Sequence, residues 1–258
     1  MEAAAMTGVA DGRQAFDGKA VLVVGGSRGI GAAVSRRFAM LGAKVAIGYR
    51  SAGDIADALV GELKGMGTEA RGFAGDVALP EDAEAMLRDA HAAFGRLDVL
   101  VNTAGIGPYR PLEEIDADHY RAIFDTNVLG AILLTKAAAS LLPSPGGRIV
   151  HFASRLAYSP LPTSSVYAAP KAVVIALTHG FARELGPRGI TVNAVAPGVI
   201  ETDMTKSIIA ERGDSIRAMT PMGRIGQPED IAGIVTFLAS PEAGWITGRT
   251  ILADGGLN

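Results

Sequence analysis

The stretch VLVVGGSRGIGAAV, residues 21–34, limits the fold of this chain more than any other stretch. Four apolar residues, typical of a buried strand, run directly into a glycine-rich loop, and a segment with helical spacing follows. One face of that helix is formed by residues at steps of four, four and three: Ile30, Val34, Phe38 and Leu41. Gly42 comes next, as glycine often does where a helix ends. The stretch therefore predicts a strand, a tight loop and a helix.

Short apolar runs alternate with helical segments along the rest of the chain, a pattern typical of βαβ units and a parallel sheet. The strand candidates are residues 21–24, 44–47, 99–101, 148–152, 191–195 and 250–252, with a weaker candidate at 71–73. Further helical segments are expected at residues 54–64, 80–94, 117–142, 165–184 and 228–238. We therefore predict an α/β fold with a single doubly wound parallel β-sheet, flanked by helices on both faces. Residues 1–15 are expected to form a flexible N-terminal tail, and residues 16–258 a single domain.

The composition narrows the class of protein further. Hydrophobic residues make up 48% of the chain and charged residues 20%, which is enough to bury a large core. The net charge of −3, without blocks of Lys or Arg, argues against a nucleic-acid surface. The absence of cysteine excludes disulfides and cysteine nucleophiles and suits a cytoplasmic location, and the four histidines lack the spacing of metal ligands. No apolar run approaches the ~20 residues that span a bilayer, so we expect no membrane partner.

The glycines at the start of the pattern are spaced for an anion. Gly25, Gly29 and Gly31 form a G-x-x-x-G-x-G motif between strand and helix. Without side chains there, backbone N–H groups can approach an anion closely, and the helix N-terminus adds its partial positive charge. A diphosphate is the natural ligand of such a loop. By itself, the motif also fits a tight turn that binds nothing.

Further motifs follow in a fixed order: NTAG at residues 102–105, DTNVLG at 125–130, YAAPK at 167–171 and APG at 196–198. Ser154 stands 13 residues before Tyr167. A Tyr-x-x-x-Lys pair alone is usually an ordinary helix face, but the ordered set resembles the short-chain dehydrogenase/reductase family over residues 18–258. The nearest resemblance is to the family's 3-oxoacyl-[acyl-carrier-protein] reductases. It implies a Rossmann-like fold and a nicotinamide cofactor.

The resemblance also implies four catalytic residues: Asn127, Ser154, Tyr167 and Lys171. Reduction of a carbonyl leaves an alkoxide that needs a proton, and a free tyrosine with a pKa of about 10 exchanges its proton poorly at neutral pH. The ammonium of Lys171, four residues along the same helix face, and an oxidised nicotinamide are expected to lower the pKa of Tyr167. Ser154 would hold the substrate oxygen beside the tyrosine, Lys171 would also hold the nicotinamide ribose, and Asn127 would support a water linked to the lysine.

The cofactor is expected against loops that follow several strands. Its implied contacts are Gly25, Ser27, Arg28, Gly29, Ile30, Gly31, Tyr49, Arg50, Ser51, Asp76, Val77, Asn102, Ala104, Gly105, Tyr167, Lys171, Pro197, Gly198, Ile200 and Thr202. In the family, an acidic residue at the end of the second strand usually selects NAD by binding the ribose 2′-hydroxyl. Here that stretch, residues 48–51, holds no carboxylate, and Arg28 and Arg50 are expected to converge on the 2′-phosphate of NADP. We therefore expect NADP(H) to be preferred over NAD(H); the alternative is that both arginines are solvated surface residues.

Two departures from the family pattern carry structural expectations. Val24 and Thr103 stand where the family usually has threonine and asparagine, so one hydroxyl is lost and another gained between the first and fourth strands. We expect the gained hydroxyl to re-pair the contact. Pro170, beside Lys171, suits a helix only in its first turn, so the helix is expected to begin near Val166 or Tyr167 or to be locally distorted.

The substrate side is less defined by the sequence. Residues 199–223 correspond to the lid that covers substrate in the family, and either an apolar wall or an ordinary surface helix would fit its apolar residues: Ile200, Met204, Ile208, Ile209 and Met219. Tyr109 and Arg155 are further candidates for substrate contact, without an assigned role.

Three functions remain open from the sequence. The first is an NADP(H)-dependent reductase that converts a ketone, a small carbonyl compound, to a secondary alcohol. The second is an NAD(P)-dependent sugar, polyol or alcohol dehydrogenase that works oxidatively, and the third is a dinucleotide-binding sensor without turnover. The intact trio of Ser154, Tyr167 and Lys171 argues against the sensor. Members of the family usually form tetramers or dimers through their long helices. The resemblance therefore implies a homotetramer, or a homodimer, that associates through residues 117–142 and 165–184.

Overall fold

The computed structural model describes residues 15–51 and 53–257. Seven parallel strands form one sheet in the order β3-β2-β1-β4-β5-β6-β7. The strands are β1 (Ala20–Val24), β2 (Lys44–Tyr49), β3 (Ala70–Ala74), β4 (Val99–Asn102), β5 (Arg148–Phe152), β6 (Thr191–Pro197) and β7 (Thr250–Ala253). The predicted α/β fold with a doubly wound parallel sheet is confirmed. The predicted tail lies outside the described residues except for Ala15.

Eight α-helices cover the two faces of the sheet in the part of the chain that the structure describes. They are α1 (Gly29–Met40), α2 (Gly53–Gly65), α3 (Pro80–Phe94), α4 (Ala117–Phe124), α5 (Gly130–Leu141), α6 (Ser165–Leu185), α7 (Lys206–Met219) and α8 (Pro228–Ala239). Helices α1, α2 and α8 bury apolar side chains on one face, and α3, α5 and α6 do so on the other. All five residues of β1 are buried, because a central strand of such a sheet is covered on both sides.

The strand order reverses beside β1, and this reversal positions the site. β1 pairs with β2 on one side and with β4 on the other, so the chain winds outward in both directions from this point. In register, Val24 lies opposite Gly48 of β2 and Asn102 of β4. The carboxyl ends of the three strands are therefore level, and the loops that follow them open onto one crevice, where ligands bind in such sheets.

The single helix expected over residues 117–142 is wrong, because a π-helical turn at Asp125–Leu129 divides it into α4 and α5. The amide of Gly130 donates to the carbonyl of Asp125, five residues back, as in a π-helix. Within this turn, Nδ2 of Asn127 donates to the carbonyl of Ile123, at 2.8 Å, and to that of Ile106, at 3.0 Å. In a regular α-helix the backbone amide of residue 127 would bond Ile123, so a side chain here takes over a helical hydrogen bond.

The same stretch bears on the expectation of no membrane partner. Ala117–Leu141 contains an 18-residue window with a mean hydropathy of 1.3, which is long and apolar enough to cross a membrane by length and composition alone. Core helices of soluble proteins pass the same test, and α5 packs against α3 and buries Leu134 and Ala138 among its apolar residues.

Helix α6 begins at Ser165, where the helical spacing placed it and one residue before the start expected from the proline. Pro170 therefore lies within the helix at its sixth residue rather than in the first turn. Proline has no N–H, so the carbonyl of Val166 receives no helical hydrogen bond from residue 170. Pro170 and Lys171 are both buried, and the helix keeps Tyr167 and Lys171 on one face despite the missing bond.

Candidate active site

A cavity of about 580 Å³ opens at the carboxyl ends of the strands. Its wall is built from the loops that follow β1, β2, β3, β4, β5 and β6, together with α6 and the segment that leads into α7. Nearly all of the site residues predicted from the sequence line this cavity. The exceptions are Asn102, at the end of β4, and Asn127, in the π-helical turn.

The glycine loop is packed too tightly to admit side chains. Gly25 has φ +75°, and a Cβ there would lie 2.9 Å from the backbone nitrogen of Ala104. A Cβ on Gly31 would lie 2.2 Å from the carbonyl oxygen of Gly25. The first turn of α1 contains no acidic residue, and its N-cap, Arg28, makes no side-chain capping bond. The amides at this helix N-terminus therefore face the cavity without a competing carboxylate, which suits a bound anion.

The loop is fastened to β4 by the hydroxyl that the sequence singled out. Oγ1 of Thr103 donates to the carbonyl of Val24 at 2.8 Å, and the backbone amide of Thr103 donates to the same oxygen at 2.9 Å. Asn102 turns its Oδ1 to the amide of Ala104, at 3.1 Å, and so shapes the wall from behind. The hydroxyl gained at residue 103 thus joins the two strands from the β4 side.

Arg28, within the glycine loop, and Arg50, directly after β2, both line the cavity and are exposed. Arg50 makes one long ion pair, 3.5 Å from its Nη1 to Oδ2 of Asp76, and its side chain stays 55% exposed. Asp76 is held in place by the amide of Ala78, which donates to its Oδ1 at 3.0 Å. An exposed pair of this kind is worth at most about 1 kcal/mol, so the guanidinium can turn to a phosphate at little cost.

The three residues of the predicted catalytic trio meet deeper in the cavity. Ser154 follows β5 and is buried, and Tyr167 and Lys171 approach from α6. Nζ of Lys171 donates to the carbonyl of Phe152 at 3.0 Å and lies 5.7 Å from the centroid of the Tyr167 ring. Burial lowers the pKa of Lys171 to about 8.

The pKa of Tyr167 is raised in the protein by itself, whereas the expected lowering includes the charge of an oxidised nicotinamide. Burial, and to a smaller extent Tyr109, raise the pKa of Tyr167 to about 12, while a hydrogen bond with Ser154 offsets part of that rise. The ammonium of Lys171 points to a backbone carbonyl instead of the phenol, and its own charge is disfavoured by burial. In the protein by itself, desolvation therefore outweighs the neighbouring charge, and the phenol is held protonated at neutral pH.

Asn127 stands behind the wall instead of in it. A Cβ on Gly105 would lie 2.6 Å from Oδ1 of Asn127 and 3.2 Å from Nζ of Lys171, so these two polar atoms flank the glycine. Oδ1 of Asn127 is buried and accepts no hydrogen bond from the residues that the structure describes. The arrangement leaves a buried acceptor next to a buried ammonium, a site where a small polar molecule would be held.

His151, which the sequence gave no reason to select, lies beneath this cluster. It is buried in β5, and its Nε2 lies 3.0 Å from Oγ1 of Thr135. Because that hydroxyl already donates to the carbonyl of Ala131, at 2.7 Å, the imidazole must be the donor in the contact. Burial, followed by the charge of Lys171, lowers the pKa of His151 to about 4. The ring is therefore neutral at physiological pH and leaves Lys171 as the deep positive charge.

The substrate end of the cavity has a mixed wall. Of the five apolar lid candidates, Ile200, Met204 and Ile208 line the cavity, and Ile209 and Met219 do not. Leu156 and Leu161 contribute apolar surface that the sequence did not indicate. Tyr109 and Arg155 also line the cavity, with the ring of Tyr109 centred 5.6 Å from that of Tyr167.

The sequence and the structure of this chain were compared with those of known proteins. A family model described as enoyl-(acyl carrier protein) reductase matches residues 24–258. An uncharacterized oxidoreductase of Methylorubrum extorquens is 43% identical over 245 residues, which cover 94% of this chain and 98% of the relative. A 3-oxoacyl-[acyl-carrier-protein] reductase of Synechocystis is 40% identical over the same shares. A solved short chain dehydrogenase of Burkholderia cenocepacia, in complex with NADP, is 40% identical with a TM-score of 0.90, covering 95% of this chain and all of that one.

Proposed function

The chain belongs to the short-chain dehydrogenase/reductase family and is an NAD(P)-dependent oxidoreductase; from this premise we propose that it reduces a ketone to a secondary alcohol with NADPH. The observation that carries the proposal is the convergence of Ser154, Tyr167 and Lys171 on the cavity that the glycine loop lines. The glycine loop suits the diphosphate, and Arg28 and Arg50 suit the 2′-phosphate that distinguishes NADP. The resemblance to 3-oxoacyl-[acyl-carrier-protein] reductases suggests the carbonyl class.

The chain's own residues supply binding and the proton. When bound, NADPH provides the hydride that the carbonyl carbon receives. Ser154 donates a hydrogen bond to the carbonyl oxygen and holds it beside the phenol of Tyr167, which gives its proton to that oxygen as the alkoxide forms. Lys171 binds the nicotinamide ribose and, with Asn127, holds the water through which Tyr167 is reprotonated. Removal of any one of these donors leaves the alkoxide charge less stabilised.

The direction of the reaction is proposed from the resemblance to 3-oxoacyl-[acyl-carrier-protein] reductases. In the oxidation of an alcohol, the same phenol of Tyr167 would act as the base. The oxidative dehydrogenase of a sugar, polyol or alcohol is therefore the second candidate, and a sensor without turnover is the third. We propose, on family habit, a homotetramer or homodimer in the cytoplasm.

The proposal is tested with the purified full-length chain. Dissociation constants for NADPH and NADH are measured by nucleotide fluorescence, and turnover is followed with matched ketones and secondary alcohols. Tighter binding of NADPH and faster turnover of ketones than of the corresponding alcohols are expected. Tight nucleotide binding without turnover of any substrate would favour the sensor, and preferential oxidation with NAD would favour the dehydrogenase.

A further inference from the structure

Arg155 is a cation in the wall of the cavity with no counter-ion nearby. It begins the short 3₁₀ turn Arg155–Ala157, directly after Ser154, and its side chain is only partly exposed. Within residues 15–51 and 53–257, no carboxylate lies within 4.0 Å of its guanidinium, and its side chain makes no hydrogen bond. Half of the other arginines that the structure describes have a carboxylate partner, as Arg36 does with Glu62 at 2.7 Å.

The phenol of Tyr109 lines the same cavity as this guanidinium. Both residues line the cavity, and Tyr109 packs its ring 5.6 Å from that of Tyr167. Burial raises the pKa of Tyr109, and the positive charge of Arg155 offsets part of that rise, which places the two groups within electrostatic reach. The phenol thus keeps its proton at neutral pH and offers a hydrogen-bond donor in the same cavity as the guanidinium.

Two other charged groups of the cavity are committed elsewhere: Lys171 donates to the carbonyl of Phe152, and Asp76 pairs with Arg50. Asp203 also lines the cavity, but it is exposed to solvent, whereas Arg155 is only partly exposed. A partly desolvated cation such as Arg155, with a phenol donor in the same cavity, favours an anionic partner.

We propose that the natural substrate is an oxo acid, with its carboxylate bound by Arg155 and Tyr109 while its ketone oxygen meets Ser154 and Tyr167. The guanidinium fork matches a carboxylate in two parallel hydrogen bonds. Arg155 adjoins Ser154 in sequence, and both side chains line the same cavity, so one substrate can meet both. This inference rests on the proposed ketone reduction and specifies its substrate class.

The test compares oxo acids with their own esters. Acetoacetate and ethyl acetoacetate are offered to the purified chain with NADPH, as are pyruvate and ethyl pyruvate, and levulinate and ethyl levulinate. For at least one pair, the parent is expected to show a higher kcat/KM for the acid. Arg155→Gln is expected to lower kcat/KM for that acid about 10-fold or more, mainly through KM, and to change the ester by less than about 3-fold.

Three controls separate charge recognition from structural damage. Arg155→Lys keeps a charge and is expected to retain part of the acid preference. Arg121→Gln removes an exposed arginine of α4, 3.2 Å from Asp118, and is expected to leave both substrates unchanged. The dissociation constant for NADPH reports whether Arg155→Gln is folded. The ratio of kcat/KM for acid and ester in the parent tests carboxylate recognition without any variant.

Several results would overturn the inference. A parent that reduces every ester as well as its acid has no carboxylate site. Equal losses for acid and ester in Arg155→Gln would assign Arg155 to the fold of the loop. Either result leaves ketone reduction standing. A parent that binds NADPH but reduces none of the six compounds, nor any neutral ketone, would instead contradict the proposed function and the inference together.

Discussion

The two ends of the cavity are built by different means. The cofactor end is made of backbone: strand ends in register and glycines at which a Cβ would strike a carbonyl or an amide, as at Gly25 and Gly31. The substrate end is made of side chains on loops and on α7, which departs from helical geometry at Arg212. Met204, in its wall, is 57% exposed. A backbone site tolerates few sequences, whereas a side-chain wall can be rebuilt residue by residue.

The largest effect is expected where the two ends meet. Tyr167→Phe keeps the ring but removes the proton donor, and general acid catalysis is typically worth about 10²- to 10⁴-fold in rate. We expect turnover to fall by that factor with any ketone that the parent accepts, while the dissociation constant for NADPH stays the same. Tyr120→Phe, on the exposed face of α4, is the matched control. If Tyr167→Phe reduced the ketone near the parental rate, the proposed mechanism would be contradicted.

The next effect is confined to the cofactor end. Replacement of both Arg28 and Arg50 by alanine removes the charges that we propose bind the 2′-phosphate, and the loss of a charged partner costs on the order of 1.5–3 kcal/mol, or about 10- to 150-fold in affinity. We expect that loss for NADPH and little change for NADH, measured as dissociation constants.

A control of equal charge makes this second prediction selective. Arg88 and Arg121 are exposed arginines that each pair with a neighbouring aspartate at 3.2 Å, and their double alanine variant is expected to bind both nucleotides as the parent does. Equal weakening of NADPH and NADH in the Arg28 and Arg50 variant would assign these arginines to the diphosphate or to the fold. A parent that prefers NADH would contradict the cofactor assignment.

The smallest expected effect tests whether the cofactor end depends on backbone packing and the substrate end on side chains. Gly31→Ala places a Cβ against the carbonyl of Gly25, and overpacking of this kind typically costs 1–3 kcal/mol. We expect weaker NADPH binding and a lower midpoint of thermal unfolding. Met204→Ala, at the substrate end, is expected to raise KM for the ketone and to leave both of those quantities unchanged.

Gly61→Ala is the control for the glycine change, because nothing lies within 4 Å of a Cβ at that position of α2. It is expected to be neutral or slightly stabilising. If Gly31→Ala and Met204→Ala affected NADPH binding equally, the division of the cavity into a backbone end and a side-chain end would be wrong.

The sequence predicts the backbone end of the cavity better than its side-chain end. The alternating pattern predicted the sheet, and its strand ends agree with the structure to within two residues, because buried parallel strands read as continuous apolar runs. The spacing of the glycines is visible because it serves the backbone of one short loop. The lid candidates Ile209 and Met219 do not line the cavity, since the sequence pattern of α7 does not tell which of its faces turns to the cavity.

The features near the catalytic cluster that the sequence did not predict depend on contacts between distant parts of the chain. The π-helical turn depends on a hydrogen bond from Asn127 to Ile106, 21 residues away, which helix propensity does not register. The raised pKa of Tyr167 depends on burial beneath loops from distant parts of the chain. His151 reads as an ordinary strand residue, and only its contact with Thr135 of α5 fixes which ring nitrogen carries the proton.

The double hydrogen bond on the carbonyl of Val24 has a consequence for the history of the chain. That oxygen accepts both the amide and the hydroxyl of Thr103, while the side chain of Val24 lies in the apolar layer with Leu22 and Met86. An exchange of Thr103 alone breaks the hydroxyl bond, and a threonine introduced at residue 24 alone buries a second hydroxyl in that layer. The two positions are therefore epistatic, and a lineage that passes between this pairing and the more usual one must cross a less stable intermediate or change both residues together.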